Sequence, residues 1–218
     1  MTSSLAPNYR RFAALIALIG WAALIAQLIF LLIFTSRLHG SLVETVWRFF
    51  GAFTVTTNLL IAAVMTAAAR GRVLLPWPGE ASLLAGTAVS GVFLMLAFHV
   101  MFGMPGFDFL LGALGIALHD LVPCLTLLLW LAGAPKTPLG FGDPFRWLIY
   151  PAAYLVYCWT RGAIDGWYPY YFLDVGHLGY GRALLMALAL GAGFALVGLA
   201  LVLVARLIRR LRPEPAMA

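Results

Sequence analysis

The sequence predicts an all-α polytopic membrane protein, with six transmembrane helices in one bundle and an aromatic re-entrant lid before the last helix. Three observations carry that prediction. Of the 218 residues, 63% are hydrophobic and only 10% charged, too few charges to coat a soluble globule. Charge-free stretches separate Arg11 from Arg37, Arg48 from Arg70, Glu80 from Asp108 and Arg182 from Arg206, and each holds the roughly 20 apolar residues a span requires. The basic residues that give the net charge of +6 stand singly or in short clusters at the ends of those stretches, which marks membrane topology and excludes a nucleic-acid partner. The whole chain, residues 1–218, reads as a single integral membrane domain.

The first span covers 12–35. Its apolar run is too long for a signal peptide, and Phe34-Thr35-Ser36 is a poor cleavage site, so it is expected to stay in the mature protein. The second covers 46–68 and places Gly51, Thr54, Thr57 and Asn58 on one face through their i, i+3 and i+4 spacing, with Thr56 pointing elsewhere. The third covers 81–103, between turn signals at Pro76, Pro78 and Gly79 and at Met104-Pro105-Gly106-Phe107-Asp108. The fourth covers 109–132 and is apolar except for His119 and Asp120. Pro123 has no N–H for the His119 carbonyl and clashes with it, so the helix is expected to bend at the histidine.

The fifth span covers 146–163 and presents Tyr150, Tyr154, Tyr157 and Arg161 on one face. The loop after it, Gly166-Trp167-Tyr168-Pro169-Tyr170-Tyr171-Phe172-Leu173-Asp174, is too aromatic for a free linker and reads as a lid folded over the outer mouth. The sixth span covers 182–206. Ten basic residues, Arg10, Arg11, Arg70, Arg72, Lys136, Arg146, Arg206, Arg209, Arg210 and Arg212, fall on one side against Arg37, Arg48, Arg161 and Arg182 on the other. Both termini are therefore expected in the cytoplasm, with the protein in a bacterial inner membrane. Cys124 and Cys158 differ too much in depth to bridge and read as free thiols.

Polar groups inside a bilayer are costly, so their positions carry functional weight. At 1.5 Å per residue from the outer span ends, Gln27 and Thr54 lie roughly 12 Å deep and His119 roughly 15 Å deep. Three helices thus bring polar side chains to one level. A neutral histidine there is suited to take a proton from a hydroxyl. Asp120, about 100° around the helix, is expected to meet a different neighbour and to tune the site electrostatically. A haem would need two axial histidines at matching depth, and His99 and His119 are offset by roughly 9 Å. The histidines and Asp120 show no zinc-ligand spacing, so neither metal nor cofactor is expected.

At three motifs the chain resembles a family. Phe53-Thr54-Val55-Thr56-Thr57-Asn58-Leu59, His119 to Pro123, and Trp167-Tyr168-Pro169 with Phe172-Leu173-Asp174 look like the corresponding segments of the androgen-induced and androgen-dependent TFPI-regulating proteins and their bacterial relatives. The resemblance implies a six-helix membrane threonine hydrolase that cleaves fatty acid esters of hydroxy fatty acids, with Thr54 as nucleophile and His119 as base. The histidine-to-proline spacing is one residue shorter here, and the family's acidic residue falls as Asn58 with a one-residue offset, so Thr57 stands as the alternative nucleophile.

Two functions follow. The first is an intramembrane esterase in which His119 takes the Thr54 proton and the threonine attacks a membrane lipid ester. Asn58 and Gln27 are its candidate oxyanion donors, with Thr57 and Asp120 in the pocket and Tyr154, Tyr157, Arg161, Trp167, Tyr168 and Asp174 as lid and pocket wall. The second is a non-catalytic lipid-binding or transport protein whose polar cluster recognises a head group.

Overall fold

The computed structural model describes residues 6–72, 79–102, 109–133 and 139–211, and no strand occurs among them. The expected turns at Pro76, Pro78 and Met104 to Asp108, and the basic residues Lys136 and Arg212, lie outside the described residues. The helices are α1 (Pro7–Arg37), α2 (Leu42–Gly51), α3 (Phe53–Ala69), α4 (Glu80–Phe102), α5 (Phe109–Ile116), a π-helical turn (Ala117–Leu121), α6 (Val122–Gly133), α7 (Asp143–Trp147), α8 (Ile149–Asp165), a 3-10 turn (Tyr171–Leu173) and α9 (Val175–Leu211). Four runs are long and apolar enough to cross a membrane: α1, α4, Gly112–Gly133 and α9. The bent pair α2 and α3 makes a fifth if it counts as one span.

Small residues let the helices approach closely, as membrane packing requires. A Cβ added at Gly20 of α1 would stand 3.4 Å from the Ala62 Cβ of α3, and one at Gly91 of α4 would stand 3.3 Å from the Pro123 Cα of α6. Trp147 is wedged between Gly86 of α4 and Gly198 of α9, and its indole donates to Ser82 Oγ at 3.0 Å. Ser82 in turn donates to the buried Asp143 at 3.2 Å, which ties α7 to α4.

The largest departure from expectation concerns the second span. It is not one helix over 46–68, because α2 and α3 meet at Ala52 with a bend of 71°. Ser41 caps α2 by accepting the Glu44 N–H at 3.2 Å, and Glu44 pairs with Arg48 one turn on. At the other end Ala52 is extended, with φ −74° and ψ 134°. A break at this depth leaves helix-end carbonyls and N–H groups without partners, which is tolerated only where the protein supplies replacements.

Helix α8 and the loop after it supply them. Tyr154 donates to the Gly51 carbonyl at 2.9 Å, Tyr157 to the Phe50 carbonyl at 3.1 Å, and Arg161 to the Trp47 carbonyl. These three side chains recur every three to four residues on α8, so one face satisfies the end of α2. At the start of α3 the Tyr170 hydroxyl accepts the Phe53 N–H at 2.9 Å. Gly51 therefore ends α2 and does not share a helix face with Thr54, as a continuous span would require. Its missing side chain makes room for the Trp167 ring, whose Cζ3 would stand 2.8 Å from an added Cβ.

In the fourth span the expected site of the bend carries a π turn over Ala117–Leu121. Pro123 cannot donate to the His119 carbonyl, and Val122 donates five residues back to Ala117. α7 and α8 replace the single fifth helix, with a break at Leu148. α9 runs longer at both ends than 182–206, interrupted at Gly179, where φ is 73°.

Candidate active site

Thr54 is the second residue of α3, so its hydroxyl stands at the positive end of that helix and beside the break. His119 sits in the middle of the π turn. Its Nε2 lies 3.1 Å from Thr54 Oγ1, and its Nδ1 lies 2.9 Å from the Gly115 carbonyl. A carbonyl only accepts, so Nδ1 carries the proton in the neutral ring. Nε2 is then the lone-pair nitrogen that accepts the Thr54 hydroxyl. The Phe98 ring stacks on the imidazole at 3.7 Å between centroids and 22° between planes, which fixes its orientation. The contact expected from matched depth is thus present, with the imidazole held in the tautomer that can take a proton.

Asn58 has a different role from the one expected. Its Nδ2 donates to the Thr54 carbonyl and to the Leu118 carbonyl, both at 2.9 Å, which cross-links α3 to the π turn. Both amide hydrogens are spent, so none remains for an oxyanion. Gln27 is not on the pocket wall either, and its buried Oε1 has no hydrogen-bond partner among the described residues. Thr57 is fully buried and lies 2.8 Å from the Tyr150 hydroxyl, which Thr56 shares at 3.2 Å. The two threonines thus meet one tyrosine, and Thr54 alone of the three meets a histidine. Asp120 points away from the dyad and stands 2.6 Å from His99 Nε2, the separate neighbour its position around the helix predicts.

Thr54 and His119 open onto a cavity of about 660 Å³. Its walls come from α4, α8, α9 and the segment Pro169 to Leu173. Of the expected wall residues only Tyr154 lines it. Tyr157 and Arg161 are engaged with α2, Trp167 packs on Gly51, the Tyr168 ring packs on Gly162, and Asp174 accepts the His177 N–H at 3.0 Å at the start of α9. These contacts draw the segment against the bundle, and Trp159 adds a bond from its indole to the Leu173 carbonyl at 3.1 Å.

Tyr170 is the residue whose role the sequence does not announce. Its oxygen accepts the N–H of Phe53, the residue before Thr54, at 2.9 Å. It lines the cavity. The available signal was its place within the aromatic segment before the last helix, which marked a lid without marking a donor. Chemically the site combines a threonine hydroxyl, an oriented neutral histidine, a phenolic O–H and a helix N-terminus around one end of an apolar cavity.

The chain matches no family model, no curated protein and no solved structure.

Proposed function

We propose that this protein is an intramembrane hydrolase of a lipid ester, such as a fatty acid ester of a hydroxy fatty acid, with Thr54 as nucleophile and His119 as general base. The observation that carries this reading is the 3.1 Å contact between Thr54 Oγ1 and the unprotonated Nε2 of His119, with Nδ1 held by Gly115. His119 removes the Thr54 proton as the threonine oxygen bonds to the ester carbonyl carbon. The tetrahedral oxyanion is met by the Tyr170 hydroxyl and by the positive end of α3. Collapse breaks the bond to the alcohol, which leaves with the proton from His119. Water, deprotonated by the same imidazole, then hydrolyses the acyl-threonine and releases the carboxylic acid. The resemblance to the androgen-induced family points to the same two residues.

In this reading the chain crosses a bacterial inner membrane six times, the bent α2 and α3 pair counting as one span and α7 with α8 as another. Both termini are cytoplasmic by the excess of basic residues on that side. The segment from Trp167 to Asp174 is a re-entrant lid over the outer mouth. The other reading is a non-catalytic lipid-binding or transport protein whose polar cluster recognises a head group; Tyr157 and Arg161 lend it no support, because they bond to α2 carbonyls and do not line the cavity.

A fluorophosphonate probe on the purified protein, read by mass spectrometry of its peptides, tests the proposal. Labelling on Thr54 that disappears in His119→Ala is expected. An unmodified protein carrying a tightly bound intact lipid would put the lipid-binding reading ahead.

A further inference from the structure

The polar groups on the cavity wall gather at one end, where Thr54, His119, Tyr154 and Tyr170 meet, and the remainder is aliphatic or phenyl. On α9 the lining runs from Leu184 to Ala195, a rise of roughly 16 Å at 1.5 Å per residue that passes the depth of the dyad. The same wall is built with small residues, Ala187, Gly191, Ala192 and Ala195, where larger ones would fill the space. An added Cβ at Gly191 would meet nothing closer than Leu148 Cδ2 at 3.9 Å.

The opening faces sideways. Pro169 to Leu173 close the end above Thr54, whereas lining residues on the α7, α8 and α9 side are exposed, Phe145 at 62%, Leu184 at 46% and Leu188 at 62%. Exposed leucine and phenylalanine on an apolar bundle face lipid and not water. Depth along the cavity can be read from aromatic contacts. Phe93 lies five residues inward of Phe98, the ring stacked on His119, and its ring centroid is 5.3 Å from that of Phe194. Ala195 therefore stands about 7 Å deeper than the dyad.

We infer that the cavity is an acyl-chain channel that a membrane-dissolved substrate enters laterally between α8 and α9, with Ala195 and Gly191 setting how long a chain it accepts. This inference rests on the reading of Thr54 as the group that attacks the ester, and it assigns the acyl portion to the channel and the carbonyl to its polar end. A phenyl ring at 195 closes the inner part while leaving the dyad and the space beside it open. A larger side chain at 191, nearer the dyad, truncates the channel further.

The test compares butanoyl and palmitoyl esters with detergent-purified wild type, Ala195→Phe, the milder Ala195→Leu and Gly191→Leu, each checked by thermal melting. Ala195→Phe is expected to keep butanoyl turnover within about twofold and to lose palmitoyl turnover by about tenfold or more, the scale on which apolar pockets discriminate size. Gly191→Leu shifts the preference to shorter chains still. Equal loss of both esters in a folded variant, or an unchanged palmitoyl preference, overturns the channel.

A palmitoyl ester with a diazirine near the chain end, photolysed with Thr54→Ala, gives a readout independent of turnover and of the folding of the size variants. Cross-links on the α9 segment 184–195 or its α4 and α8 neighbours uphold the channel, and cross-links confined to other helices overturn it. Cross-linking in the channel by a protein whose wild type hydrolyses nothing would sink the esterase reading and leave the channel standing.

Discussion

The Tyr170 hydroxyl accepts the Phe53 N–H at 2.9 Å, so a segment that lines the cavity also caps the helix whose second residue is Thr54. Ala52, in the capping position, has no side chain that can do this. The placement of the proposed nucleophile thus depends on a residue more than a hundred positions away.

Tyr170→Phe keeps the ring and removes both the cap and the phenolic donor. Loss of a helix cap costs about 1 kcal/mol, which lowers the melting temperature by a few degrees. Loss of an oxyanion donor lowers kcat by on the order of 10². The expected outcome is a fall in kcat with little change in KM, measured beside a small loss of stability. A loss of stability with kcat intact would leave Tyr170 as a cap alone.

The same logic applies at the other side of the break. Tyr154 is buried and donates to the Gly51 carbonyl at 2.9 Å. Tyr154→Phe leaves that carbonyl without its buried donor, which costs about 1–3 kcal/mol. Tyr157→Phe removes a bond from a more exposed side chain, so its carbonyl can find other partners and the cost is smaller. Melting curves of the two variants in one detergent check the order, and a Tyr157→Phe more damaging than Tyr154→Phe would contradict it.

The break itself shows what the sequence does and does not carry. Span positions follow from charge-free lengths, and the Thr54 and His119 pairing follows from matched depth and from a proline placed four residues after the histidine. Ala52 has no comparable mark, because no proline stands within 46–68 and the one charge there, Arg48, lies near its start. What makes the bend tenable is the set Tyr154, Tyr157, Arg161 and Tyr170, which is distant in the chain and looks like an interfacial aromatic stripe. Asn58 illustrates the same limit for the site. Its residue type permits an oxyanion donor, and only the arrival of Leu118 beside it commits both amide hydrogens to carbonyls.

At the end of α8 Asp165 accepts the Trp167 N–H at 2.9 Å and the Trp47 indole N–H, and these bonds hold its carboxyl below the usual carboxylate range. Because its folded value is depressed, the stability it adds is present above its unfolded value near pH 3.9 and is lost as pH falls through the folded value. The group is exposed, so the effect is small and screened by salt. Wild type is expected to lose melting temperature more steeply than Asp165→Asn between about pH 5 and pH 3. Parallel curves would show that the Asp165 bonds to Trp47 and Trp167 add nothing to stability.

The dyad makes the sharpest prediction. If Thr54 is the nucleophile and His119 its base, Thr54→Ala and His119→Ala each lower ester hydrolysis by on the order of 10³-fold or more, and the double variant is scarcely worse, since residues acting as a unit are not additive. Thr54→Ser keeps part of the activity because a hydroxyl remains within reach of Nε2. Thr56→Ala and Thr57→Ala remove contacts to Tyr150 and leave the dyad in place, so turnover stays close to wild type once folding is matched. Asp120→Asn disturbs the pair with His99 and not the histidine that meets Thr54, and its effect stays near the roughly fivefold that one hydrogen bond of about 1 kcal/mol allows. Activity falls on the acid side of the profile, because an imidazolium cannot accept the threonine proton. That acid limb disappears from whatever residual turnover His119→Ala retains. The measurement is turnover of a long-chain ester by purified variants across pH. Loss in Thr57→Ala with full activity in Thr54→Ala would move the nucleophile one turn along α3, and full activity in both would remove catalysis from this helix.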